Sequence, residues 1–247
     1  MTEELRRFFV DADLLGDQQV IITGDLAHRL AKVLRYRAGD SLVLTAGGET
    51  EYIVRLEDIS AKDVTGFVTG ERPAPAEAAV EVVVYQSLIR TNRFDFVLEK
   101  GTEIGVARFV PIIAGRTQVQ EEASKSRSER WQRLITEAAE QCGRGRLPAV
   151  GETQTFEASI RSAPGLKLMP YESERDLRLG DYLRSLTEHP SVVSIFIGPE
   201  GGWEDAEVAL ARESGAVLVT LGRRVMRAET AAVVTAGIVL HELDGDA

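Results

Sequence analysis

The stretch that decides the fold is Ile195-Phe196-Ile197-Gly198-Pro199-Glu200-Gly201-Gly202-Trp203-Glu204. An apolar run of strand character passes into a glycine-rich turn and then into a helical segment, Glu204 to Glu213. Glycine lets backbone N–H groups come close to a ligand, and Pro199 stiffens the turn. Open α/β sheets bind ligands where the carboxyl end of a strand meets a helix N-terminus. The same run also reads as a tight turn that needs positive φ, and its residues alone do not separate the two readings. A second loop, Leu221-Gly222-Arg223-Arg224-Val225-Met226-Arg227-Ala228-Glu229-Thr230-Ala231, follows another apolar run and precedes a last helix from Thr230 to Leu243. Solvated arginines would explain that loop taken singly. Two such loops behind two strands can line one crevice, and the pair is more specific than either.

Working outward, the same alternation extends upstream. Val80 to Tyr85, Phe109 to Ile113, Leu166 to Met169, Val192 to Ile197 and Val217 to Leu221 read as strands. Phe94, Val97, Leu98, Gly101 and Ile104 form a helical stripe, and Ser128 to Cys142 reads as a helix with Trp131, Leu134, Ile135 and Ala138 on one side. Strands alternating with helices predict a largely parallel sheet covered on both faces. The pattern breaks at Glu71-Arg72-Pro73-Ala74-Pro75-Ala76-Glu77-Ala78-Ala79, where two prolines in a small-residue run fit neither a helix interior nor a central strand. It divides the chain into a first domain, 1–72, and a second, 73–247. The first holds short β-like runs separated by turn residues, which predicts a small barrel. One helix interrupts it. Thr23 can cap that helix, Leu26, Leu30, Val33 and Leu34 fall on one face, and Arg29, Lys32 and Arg35 lie away from it.

Composition sets limits on function. The chain has 247 residues and a formal net charge of −10, which speaks against non-specific attraction to polyanions. The cations are nevertheless clustered, in His28 to Arg37, in Arg127 to Arg146, and in Arg223, Arg224 and Arg227. Each cluster also reads as an ordinary solvated helix face. No run of about 18 apolar residues is present, so no membrane helix is expected. The acids ahead of the first arginines do not resemble a secretory signal. A single cysteine, Cys142, excludes an internal disulfide and fits a reducing cytoplasm. Neither G-x-G-x-x-G nor G-x-x-x-x-G-K-[ST] occurs, which weakens a dinucleotide site and a P-loop. Three scattered histidines and one cysteine predict no metal site.

The ordered pair GPEGGW (198–203) and LGRRVMRAETA (221–231) resembles the ribosomal RNA uracil-N3 methyltransferase family of the SPOUT class. FVLEKGTEIGVARFVPI, Phe96 to Ile112, is similar to that family's lysine–threonine–glutamate–leucine–glycine segment. RWQRLITEAAEQCGRGRLPAV, Arg130 to Val150, is similar to its glutamate–glutamine–arginine segment, and RRFFV and HRLAKVLRYRAGD to its N-terminal RNA-binding domain. The likeness spans nearly the whole chain. Mild departures are Ala228 where Thr is frequent, Ile104 for Leu and Cys142 for Ser. The resemblance implies a PUA-like barrel followed by an α/β domain with a deep C-terminal trefoil knot. It implies a homodimer with its cofactor pocket near the subunit interface. It also implies methyl transfer from S-adenosylmethionine to N3 of one uridine, position 1498 in the usual numbering, of 16S small-subunit ribosomal RNA. Two alternatives within reach of the sequence are a methyltransferase for another RNA position and a non-catalytic RNA-binding or ribosome-assembly protein.

On this reading Gly198, Pro199, Glu200, Gly201, Leu221, Gly222, Val225, Met226 and Ala228 hold the cofactor. Uracil N3 carries a proton and is a poor nucleophile until that proton leaves. The resulting anion spreads onto the flanking carbonyl oxygens, where a cation stabilises it. Arg227 is the first candidate for that role and Arg144 the second. Glu229 or Glu200 is the candidate to accept the proton, although Glu229 equally suits the start of the last helix. Arg6, Arg7, Arg29, Lys32 and Arg35 are the expected RNA-positioning residues.

Overall fold

The structure is a computed structural model that describes residues 5–118 and 125–244. The chain divides into two compact units, one formed by Met1–Glu77 with Ala139–Leu147 and the other by Ala78–Ala138 with Pro148–Ala247.

The first unit is built on five strands: β1 (Arg7–Phe9), β2 (Gln19–Thr23), β3 (Ser41–Thr45), β4 (Thr50–Ile59) and β5 (Asp63–Pro73). They form one sheet in the order β1-β3-β4-β5-β2. All pairings are antiparallel except β1 with β3. Alternation along the strands sends Phe8, Val20, Ile22, Leu42, Leu44, Val54, Leu56 and Val64 into one core. The short helix α1 (Gly24–His28) runs into a π-helical turn, Arg29–Val33. Leu30 is fully buried as its spacing predicts, but Val33 is 65% exposed. The wider π turn advances the chain less per residue and rotates Val33 off the apolar face. Arg35 follows that turn with φ 58°, in the left-handed region usually left to glycine just past a helix end. A side chain there costs roughly 1–2 kcal/mol.

Arg7 is not on the surface, and this corrects its expected role. It is 7% exposed, and its guanidinium donates to both oxygens of Glu51, which is completely buried. Arg72 donates to the same carboxylate at 3.0 Å. Burial in β1 makes Arg7 the partner of an internal charge, and it cannot reach a phosphate from there. Arg29 is partly committed as well: it pairs with Glu140 and lies 5.2 Å from the Phe8 ring centroid. Arg6, Lys32 and Arg35 are exposed.

The second unit carries a sheet of parallel strands in the order β12-β10-β11-β6-β7-β8, with β9 paired to β7. In chain order the elements are β6 (Glu81–Ser87), α2 (Thr91–Ile104), β7 (Arg108–Ile113), α3 (Lys125–Cys142), β8 (Ala149–Val150), β9 (Gln154–Thr155), α4 (Phe156–Ser162), β10 (Leu166–Pro170), α5 (Leu179–Arg184), β11 (Val192–Ile197), α6 (Asp205–Glu213), β12 (Val217–Val219) and α7 (Ala228–Leu243). The last residues of α3 belong to the first unit. One face of the sheet packs Tyr85, Val110, Ile112 and Phe196 against Phe156 and Ile160 of α4 and Val208 and Ala211 of α6. Tyr85 stacks on Phe196 at 4.5 Å between ring centroids. On the other side α7 packs on β6, β11, α2 and α5. In α2, Gly101 is forced by close packing: a Cβ there would lie 2.6 Å from Phe109 Cε1.

Replacing Arg7 by Met should destabilise the first unit by about 3 kcal/mol, the lower end of the cost of breaking a buried ion pair, because Arg72 still reaches Glu51. Urea unfolding of the two proteins measures it. Unchanged stability with weakened RNA binding would return Arg7 to the RNA surface.

Candidate active site

Parallel pairing sends the carboxyl ends of β10, β11 and β12 the same way, and the segments that leave them line a cavity of 430 Å³. Its walls come from the β11 turn (Ile197 to Trp203), the β12 loop (Thr220 to Gly222 and Arg224 to Ala228), the segment after β10 (Pro170, Tyr171, Glu172, Arg175), Ala231 of α7 and Arg93 of α2.

Each wall is held from behind. Gly198 lies directly over Trp203, and a Cβ on it would stand 3.0 Å from the indole. Trp203 is 4% exposed and packs on Phe156 at 4.8 Å, so it cannot yield. The loop after β7 braces the turn. Arg116 donates to the Gly201 carbonyl at 3.0 Å, and Gly115 N–H donates to Glu207 at 2.8 Å. Glu204 and Glu207 complete a reciprocal capping box at the start of α6. Gly222 has φ 118°, open only to glycine, and its N–H donates to Thr220 Oγ1 at 3.2 Å. After β10, Glu174 accepts from the N–H groups of Asp176 and Leu177 at 2.9 and 3.2 Å. The Asp176 bond foremost, then that of Leu177, holds the Glu174 carboxyl below its usual range.

The ionic groups converge on one side chain that the sequence reading left out. Arg93, in the first turn of α2, donates to Glu200 at 3.2 Å and lies 3.6 Å from Glu229. The first contact is a hydrogen bond, and the second is an ion pair too long to be one. One cation thus ties the β11 turn to the first turn of α7. Glu229 is 12% exposed, and its Oε2 is buried without a hydrogen-bond partner. Helix α7 begins at Ala228 with Arg227 as N-cap, two residues earlier than predicted, so Glu229 lies in its first turn. Its charge is favourable beside the helix N-terminus.

Gly198, Pro199, Glu200, Gly201, Leu221, Gly222, Val225, Met226, Arg227 and Ala228 all line the cavity. Glu229 lines an adjoining hollow that shares Arg93, Arg224, Val225, Met226 and Arg227 with it. Arg144 stands elsewhere. It is 10% exposed, bonded to Glu77 at 2.5 Å, and belongs to the first unit. Its neighbour Arg146 also donates its N–H to Glu77, at 3.1 Å, so the Glu77 carboxylate accounts for the position of this segment. Arg93, Pro170, Tyr171, Glu172 and Arg175 are the lining residues that sequence reasoning missed. Tyr171 and Glu172 could have been found, since they follow the predicted strand ending at Met169 just as the glycine turn follows β11. Arg93 carries no local signal. Among the described residues, no group of three or more His, Cys, Asp or Glu side chains could hold a metal ion.

Comparison with known proteins agrees with this architecture. Residues 76–240 match the family model described as an RNA methyltransferase domain, and residues 22–68 match an RNA methyltransferase PUA domain. Ribosomal RNA small subunit methyltransferase E of Synechocystis is 32% identical over 92% of this chain and 75% of its own. The Bacillus subtilis protein of the same name is 26% identical over 97% and 98%. Among solved structures, the Neisseria gonorrhoeae enzyme bound to S-adenosyl methionine superposes with a TM-score of 0.84 at 30% identity, over 94% and 95% of the two chains. A methyltransferase from Legionella pneumophila in complex with the same cofactor gives 0.88 at 26%, over 97% and 98%. A PUA domain ahead of a parallel α/β methyltransferase domain, with a loop-lined cavity at the sheet's carboxyl ends, places this chain in the ribosomal RNA small subunit methyltransferase E family.

Proposed function

We propose that the protein transfers a methyl group from S-adenosylmethionine to N3 of one uridine of 16S ribosomal RNA, position 1498 in the usual numbering. The observation that carries this reading is that the cavity and the hollow beside it share Arg93, Arg224, Val225, Met226 and Arg227 as lining residues, with Glu229 at the second. The cavity fits the cofactor chemically. At 430 Å³ it falls within the roughly 300–1,000 Å³ of small-molecule sites. It offers apolar surface from Ile197, Leu221, Val225 and Met226 for an adenine, and carboxylates from Glu172 and Glu200 for cationic groups. Bound there, S-adenosylmethionine supplies a methyl already activated on sulfonium and leaves as a neutral thioether.

The residues of the chain do the rest. The guanidinium of Arg227 faces the uracil and stabilises negative charge on its carbonyl oxygens as the N3 proton departs. Glu229 accepts that proton on its carboxylate, which lines the hollow and lies 3.6 Å from Arg93. Glu200 is the lesser candidate, because Arg93 already donates to it. The main contribution is alignment of nitrogen, methyl and sulfur.

The remaining parts of the reading are a knot, a division of labour, an assembly and a location. Thr220 N–H donates to Leu177 and Leu179 N–H donates to Thr220, at 2.8 and 3.1 Å, which supports a chain that passes through the β10–β11 connection as a trefoil knot before α7. The domain at 1–72 positions RNA through Arg6, Lys32 and Arg35, with Arg29 assisting, and 73–247 performs the transfer. The strain at Arg35 supports its part in this, because a costly backbone kept under an exposed cation points to use. The enzyme works as a homodimer in the cytoplasm. No helix among the described residues is long and apolar enough to cross a membrane.

Arg227→Ala should lower methyl transfer to small subunits by about 10²–10³-fold, the usual cost of removing one oxyanion donor. Calorimetry should show S-adenosylmethionine affinity nearly unchanged; equal losses in both would remove Arg227 from the chemical step. Gly222→Ala should weaken cofactor binding, because a side chain at that φ costs roughly 1–2 kcal/mol, and calorimetry with the same ligand reads it directly. Arg35→Gly should raise the melting temperature while weakening RNA binding in a gel-shift titration. Retained RNA affinity would leave the strain without this explanation. Mass spectrometry of ribosomal RNA from a strain lacking the protein names the modified nucleoside and tests the reading as a whole.

A further inference from the structure

Six large apolar side chains are exposed among the described residues, and two of them, Phe96 at 41% and Val225 at 79%, line the hollow next to the cavity. The others on its wall are Asn92, Arg93, Arg224, Met226, Arg227, Glu229 and Thr230. Asn92 and Phe96 are four residues apart on α2 and therefore share a face. This wall presents an aromatic ring, an amide and guanidinium groups, and five of its residues also line the cavity.

We propose that this hollow is the subsite for the target uracil, turned out of the RNA stack, with Phe96 as its stacking surface and Asn92 as a donor to one of its carbonyl oxygens. The proposal rests on the reading that the chain methylates uracil N3. An enzyme that works on a ring atom must take the base out of its stack and offer other π and hydrogen-bonding partners. Uracil presents two carbonyl acceptors on either side of N3. An amide N–H of Asn92 and the guanidinium of Arg227 can meet one each, which leaves N3 free between them. Guanidinium groups only donate. With Arg227 on the carbonyl at C4, the amine that cytosine carries there meets donor against donor, and uracil is selected by that contact. Positive charge from Arg224, on the same wall, suits the phosphates flanking the base.

The test uses the full-length protein, undermethylated small ribosomal subunits and radiolabelled S-adenosylmethionine. Phe96→Ala should lower kcat/KM for the subunit by roughly 5- to 150-fold, the range that base–aromatic stacking spans. Phe96→Tyr should restore most of it, cofactor affinity by calorimetry should be unchanged, and the mass by light scattering should stay at the wild-type value. Asn92→Asp, which replaces the donor by an acceptor, should also lower kcat/KM without altering cofactor affinity. If Phe96→Ala methylates as fast as wild type, or changes the assembly mass in step with activity, the hollow is not the base subsite; the second result would make it a contact between copies of this chain. If the wild-type enzyme forms no 3-methyluridine, the functional reading falls and this proposal with it. If it does and the variants match it, this proposal alone falls.

Discussion

Parallel strand pairing is the constraint from which the site follows. Because β6, β10, β11 and β12 all run the same way, the segments that leave β10, β11 and β12 emerge at one edge. Three connections that are distant in sequence meet there without any of them carrying a complete site. The apolar strands make this possible. Val83, Ile195, Phe196 and Leu168 are each at most 2% exposed, and such runs are stable only when both faces of the sheet are covered. Covering the sheet with α4 and α6 on one side and with α2 and α7 on the other also delivers Arg93 and Glu229 to the same edge.

What the sequence made legible was whatever is local. A buried strand that ends in Gly-Pro-Glu-Gly-Gly carries its own evidence, because glycine spacing and apolar runs are properties of neighbouring residues. The break expected at Pro73 and Pro75 rests on local residues in the same sense, but β5 continues to Pro73 and the first unit to Glu77. The short helices α4 and α5 were not legible, since six or seven residues show too little period. Arg93 and Phe96 escaped for another reason: their role depends on the neighbours that the sheet order gives α2, and no spacing along the chain encodes that order. Arg7 shows the opposite error. Its charge suggested the surface, but a charged residue type does not reveal whether a buried carboxylate waits for it 44 positions away.

The acidic total and the basic clusters also come into agreement. Much of the positive charge is spent internally, Arg7 and Arg72 on Glu51, Arg144 on Glu77, and Arg93 on Glu200 and Glu229. The cations left exposed in the first unit are Arg6, Lys32, Arg35, Arg37, Arg55, Lys62 and Arg146, of which Lys32 and Arg35 sit in or just past the π-helical turn. A net charge of −10 then limits attraction to arbitrary polyanions.

The contact between Gly198 and Trp203 has one more consequence. The chain has two tryptophans: Trp203 lines the cavity beneath Gly198, while Trp131 of α3 stacks on Phe94 of α2. Any molecule that presses on the Gly198 turn also alters the surroundings of the Trp203 indole. The protein therefore contains an intrinsic fluorophore at the cavity, and with Trp131 replaced by Phe its emission would report occupancy of that cavity without an added dye.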